Sequence, residues 1–110
     1  MLRLIDKDKD IKWDDIPFDV HPVVSGGVLC RIEFPNGMYC SIVGGGSGLY
    51  GDGVRTFEIM SSITGDDVEG WLNKEDVLDH LNYIRKIYTD DDGNRVYPKT
   101  ELEKWINAVL

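Results

Sequence analysis

A chain of 110 residues with a hydrophobic share of 42% and a charged share of 29% suits one globular domain whose modest core needs neither metal nor disulfide. Its formal net charge of −8 disfavours direct contact with nucleic-acid backbones or anionic lipids and leaves a basic surface as the natural complement. No apolar run reaches the roughly 18 residues of a membrane span, and the opening stretch Met1–Asp8 lacks the apolar segment of a signal peptide, so a cytoplasmic location is expected.

Residues 1–27 read as an N-terminal arm. Charges alternate in sign through Asp6–Asp10, as in a solvated segment, and Ile11, Trp13, Ile16 and Phe18 then supply anchors laid over the core. His21-Pro22 and Ser25-Gly26-Gly27 mark turns that lead into a sheet spanning residues 28–60. Val28–Phe34 and Met38–Val43 both alternate in hydrophobicity around Pro35-Asn36-Gly37, the sequence form of a β-hairpin. A two-residue turn at Asn36-Gly37 would set Glu33 opposite Cys40 and mix charge with the apolar set. With all three residues in the loop, Ile32 faces Cys40 and Cys30 faces Ile42 on one apolar side, and Arg31, Glu33, Tyr39 and Ser41 share the other. Register follows the buried face, so the three-residue loop is expected, with Gly37 in the left-handed position. The two cysteines then lie on a diagonal, about 7–8 Å apart, too far for a relaxed disulfide. They are expected to be reduced and buried. Val54–Met60 should be a third strand with Phe57 and Ile59 inward.

Between those strands runs the glycine loop 44–53. Gly46-x-Gly48-x-x-Gly51 matches the dinucleotide fingerprint as a string, but that fingerprint needs a helix N-terminus after it, and here a strand follows. The loop holds no lysine to reach a phosphate, so it is no Walker motif either. It reads as a surface loop whose Leu49 and Tyr50 are either folded back or offered to a partner, with a small ligand as the alternative occupant.

Ile63–Leu72 reads as a connection carrying Asp66, Asp67 and Glu69. Asn73 then caps a helix over residues 73–88, with Glu75 and Asp76 in its first turn and an apolar stripe of Val77, Leu81, Ile84 and Tyr88. A second helix over residues 99–110 is expected after Pro98, with Thr100-x-x-Glu103 as a capping box. Leu102, Trp105, Ile106, Val109 and Leu110 would form its single apolar face. The fold class that results is α+β: a three- or four-stranded antiparallel sheet with two C-terminal helices packed on one face.

The stretch Asp90–Glu101 has ligand spacing and resembles the calcium loop of the EF-hand family. Asp90, Asp92 and Asn94 stand at its first, third and fifth positions, Val96 offers a backbone carbonyl at the seventh, and Glu101 stands at the twelfth. Arg95 replaces the usual glycine, and Pro98 offers no side-chain ligand. Asp-Asp-Gly-Asn also makes an ordinary turn, which would let Arg85–Tyr88 and Arg95–Tyr97 form a small hairpin, or simply join two helices.

Phe34-x-Asn36-Gly37-x-x-x-Ser41-x-Val43, Tyr50-Gly51, and Thr64-x-Asp66-Asp67-Val68-x-Gly70-Trp71-Leu72 resemble small acidic proteins encoded by bacteriophages. That resemblance implies origin more than chemistry. By analogy with anti-CRISPR and anti-restriction inhibitors, it implies occupation of a nucleic-acid-binding surface on a host protein. No nucleophile–histidine pairing, metal cluster or carboxylate pair points to catalysis. The expectation is a non-catalytic acidic binding protein without a cofactor, whose partner is a basic host protein. Leu49, Tyr50, Asp52, Asp66, Asp67 and Glu69 are the candidate contacts. A Ca²⁺ module at 90–101 is the alternative.

Overall fold

A computed structural model of the chain describes residues 10–97. Five strands form one antiparallel sheet in sequential order: β1 (Asp19–Val20), β2 (Gly27–Glu33), β3 (Tyr39–Gly45), β4 (Thr56–Ser61) and β5 (Glu69–Asn73). One helix, α1 (Lys74–Lys86), follows, and β6 (Tyr88–Thr89) pairs with β7 (Arg95–Val96) in a separate hairpin.

The central hairpin takes the register that its apolar face demands. Ile32 lies opposite Cys40 and Cys30 opposite Ile42, and Gly37 closes the turn at φ +84°. Both cysteines are buried and reduced. Desolvation raises both thiols, Cys40 beyond any pH at which it would ionise. Phe57 and Ile59 continue the same face, and Val77, Leu81 and Ile84 of α1 close over it. Each of those three helix residues is fully buried, so truncating Leu81 to Ala should cost about 2–5 kcal/mol.

α1 is fixed at both ends by asparagines. Asn73 Oδ1 accepts the Asp76 N–H at 2.8 Å, and Glu75 and Asp76 stand where the helix dipole favours anions. At the other end, the Asn36 Nδ2 group of the β2–β3 turn donates to the carbonyls of Ile84 and Ile87, both at 2.8 Å. The hairpin tip thus adds a second donor to the Ile84 carbonyl, which also accepts the Ile87 N–H at 3.1 Å, and supplies one to the Ile87 carbonyl at the helix end. The N-terminal arm lies on the core through Ile11 and Ile16, with Trp13 and Phe18 against Phe57 at 4.9 and 5.4 Å between ring centroids. Asn82 clamps its start: Asn82 Oδ1 accepts the Ile11 N–H at 2.7 Å, and Arg85 forms an ion pair with Asp10.

The α+β class stands, but the expected three- or four-stranded sheet with two helices is corrected. Five strands pair, and a single helix occurs among the described residues. The expected second helix at 99–110 lies outside the described residues. The extra strands come from stretches read as arm and connection. β1 is only two residues long, and β5 occupies the end of the expected connection 63–72. α1 also stops at Lys86, so Tyr88 is not on its apolar stripe but in β6, 58% exposed. No described helix is long and apolar enough to cross a membrane.

Candidate partner-binding surface

The glycine loop lies over the start of β4 and reaches from β3 to β5. Gly45 N–H donates to the Gly51 carbonyl at 3.0 Å, and Trp71 N–H of β5 donates to the Tyr50 carbonyl at 2.7 Å. A Cβ at Gly51 would stand 2.6 Å from Phe57 Cα, and one at Gly70 would stand 2.4 Å from Tyr50 Cβ. The glycines at 51 and 70 therefore serve close backbone approach rather than a phosphate cradle.

Asp52 organises the return of this loop into β4. Its Oδ1 accepts the N–H groups of Val54, Arg55 and Thr56 at 2.8, 2.7 and 3.0 Å. The amides of Thr56, Val54 and Arg55 stabilise the carboxylate and lower its pKa to about 2. Asp52 is thus a loop brace as well as a surface acid. Leu49 is half-buried and directed back toward Gly27 of β2. Tyr50 stays 54% exposed, and its N–H reaches Glu58 Oε1 at 3.3 Å.

The bond from Trp71 to Tyr50 brings the loop beside β5, where Asp67 and Glu69 stand. Burial and the nearby Asp67 charge raise the Glu69 pKa. Asp66 and Asp67 are exposed on the turn after β4, which is closed by Gly65 N–H to Ser61 O at 2.9 Å and Asp67 N–H to Thr64 O at 3.2 Å. A buried lock anchors that turn to the helix. Ser61 Oγ accepts the Ile63 and Thr64 amides at 3.2 and 3.4 Å, which leaves its hydroxyl proton for His80 Nε2, 2.8 Å away. His80 is fully buried, and desolvation lowers its pKa to about 4. Neither Ser61 nor His80 has any exposed surface, so the pair is a structural bond and not a nucleophile–base pair open to substrate.

Four residues of this corner are not among the candidate contacts expected from the sequence: Glu58, Met60, Val68 and Trp71. Glu58 and Met60 alternate with the inward Phe57 and Ile59. Continuing the Ile59–Glu69 register by one residue sets Val68 opposite Met60. Trp71 is 64% exposed and has φ +57°, the only non-glycine with positive φ among the described residues. Sequence alternation hides this strand, because the register shift sets Leu72 opposite inward Phe57 but Val68 on the outer face with Met60; the β-branched and aromatic content of Val68–Leu72 is the available clue.

The aspartate loop takes a different role. Asp90 Oδ1 accepts the amides of Asp92 and Asn94 at 3.0 and 2.8 Å, and Asp90 N–H donates to the Asn94 carbonyl at 2.8 Å. These bonds close the β6–β7 hairpin, in which Val96 pairs with Tyr88. Glu101 lies outside the described residues. Among the described residues no group of three or more His, Cys, Asp or Glu side chains is placed to hold a metal ion.

Comparison of the chain with protein-family models, with curated proteins and with solved structures finds no match.

Proposed function

We propose that this chain is a non-catalytic binding protein that occupies a basic, nucleic-acid-binding surface of a protein partner through the corner where the glycine loop meets β5. The cytoplasm and a phage or mobile-element origin are the setting this reading favours. Trp71 is the observation that carries it. A left-handed backbone costs a non-glycine residue roughly 1–2 kcal/mol, and a side chain that is 64% exposed recovers little of that by burial. Glycine would fit the same backbone without strain. The β4–β5 register shifts at this point, and the fold sets the left-handed turn; a large aromatic kept exposed there, where glycine would fit, is what suits contact with another molecule. The charge supports a basic partner. Asp66, Asp67 and Glu69 border the corner, and the chain as a whole carries −8.

The test is capture of partners on the immobilised chain at low and high salt, beside an Asp66→Lys/Asp67→Lys variant. The reading expects a nucleic-acid-binding protein that is retained at low salt, weakened by salt and weakened by the charge reversal, because exposed charges chiefly steer encounter. Retention indifferent to both changes would remove charge as the basis of recognition.

A further inference from the structure

Beyond the sign of the partner's charge, the corner specifies the chemistry of the group it receives. Tyr50, Met60, Val68 and Trp71 are all exposed large apolar residues at the β4–β5 end of the sheet. Tyr50 and Trp71 are held together by a backbone hydrogen bond of 2.7 Å, with no room for a side chain at Gly70 between them. Carboxylates rim this apolar centre: Glu58, outward on β4 like Met60 and bonded to the Tyr50 amide, and the exposed Asp67 in the turn before β5.

Among the described residues, cations stand over other aromatics. The Arg31 guanidinium lies 4.2 Å from the centroid of the Tyr39 ring, and Lys74 Nζ lies 5.2 Å from that of Trp13. Arg31 pairs with Glu33 and Arg85 with Asp10. No described cation stands within ion-pair distance of Glu58, Asp67 or Glu69. Apolar rings ringed by uncompensated carboxylates complement a side chain with an apolar stem and a cationic head. They disfavour neutral or acidic segments, which would bury the carboxylates without compensating their charge.

We propose that the β4–β5 corner is a docking surface for an arginine- or lysine-bearing segment of a protein partner. The cation meets the Trp71 and Tyr50 rings and the Glu58 and Asp67 carboxylates, while its stem covers Met60 and Val68. This rests on the binding reading above and sharpens it from a charged surface to a defined site.

A dodecapeptide of alternating arginine and glycine serves as the probe, titrated against the full chain at about 50 and 300 mM salt, a range over which exposed charge attraction is strongly screened. Trp71→Gly should weaken binding about tenfold at both salt concentrations, the scale of a desolvated cation–π contact, while folding is retained because glycine suits the left-handed backbone. Glu58→Gln/Asp67→Asn should weaken binding chiefly at low salt. Asp14→Asn/Asp15→Asn, the same loss of charge at the exposed acids of the N-terminal arm, should leave it within twofold. If the arm variant weakens binding as much as the corner variants do, the defined site is overturned while the acidic binding reading survives. If the wild-type chain does not bind the peptide even at low salt, both are overturned. A concentration-dependent dimer abolished by Trp71→Gly would overturn the site by assigning the corner to a second copy of the chain.

Discussion

Lowering the pH should destabilise this protein through His80 in a window separate from its surface acids. The imidazole is fully buried and accepts the Ser61 hydroxyl proton at Nε2, and burial holds its pKa near 4 against an ordinary 6.5. A depressed histidine pKa means that the unfolded chain binds the extra proton first. Stability is therefore complete above about pH 6.5, falls as pH drops toward 4, and changes no further on this account below that. Between pH 7.5 and 4.5 the loss is roughly 2–3 kcal/mol from a shift of that size. That should move a urea midpoint by about 1–2 M for a domain of this size. Asp52, stabilised by loop amides down to about pH 2, acts only below its ordinary value of 3.8, outside the window. Glu69 has the opposite sign, since a raised carboxyl pKa makes the fold relatively more stable as pH falls. The assay is urea unfolding across pH 4.5–7.5 for wild type and His80→Gln, whose amide oxygen can still accept from Ser61. The difference between the two should grow steadily less favourable to wild type as pH falls. Parallel profiles would refute the buried, neutral histidine and the bond it makes.

Trp71→Gly should raise unfolding stability by about 1 kcal/mol by relieving the left-handed strain, read as a higher Tm. Gly51→Ala should cost about 1–3 kcal/mol, because its Cβ would meet Phe57 Cα at 2.6 Å, whereas Gly48→Ala, with open space around it, should show only the smaller cost of its φ of +91°. Asn36→Ala should lower stability by about 2–3 kcal/mol, since it removes the donor to two carbonyls at the α1 C-terminus and the acceptor for Met38 N–H. Added Ca²⁺ should leave Tm unchanged because Asp90 Oδ1 is engaged by two amides. A rise in Tm that disappears in Glu101→Gln would restore the EF-hand reading instead.

The parts of the fold that the sequence foretold are those where a period meets a strong local constraint. The Cys30–Ile42 and Ile32–Cys40 pairs follow from keeping charge off the apolar face, and Asn73 announces the helix by its side chain and the acids after it. β1 and β5 were harder to read because each is short and held by its neighbour rather than by propensity. β1 has two residues, and β5 is interrupted by a register shift between Phe57 and Ile59. The candidate surface was half legible. Tyr50, Asp67 and Glu69 are recognisable from residue type, but Trp71 meets Tyr50 only through a hydrogen bond to a carbonyl distant in sequence. The Ser61–His80 lock was hidden for the same reason, since nothing local links residues 61 and 80. Asp52 had been read as a contact, while the fold makes it first a cap for three amides.

Occupation of a basic, nucleic-acid-binding surface is the central claim, and a competition measurement tests it most directly. The protein retained by the immobilised chain is purified and bound to its own labelled nucleic acid, and the chain is then titrated in while bound label is followed by fluorescence anisotropy. The account expects wild-type chain to displace the nucleic acid completely, Trp71→Gly to need about ten times the concentration, and no ternary complex to form. A stable ternary complex, with nucleic acid and chain bound together at undiminished affinity, would contradict it.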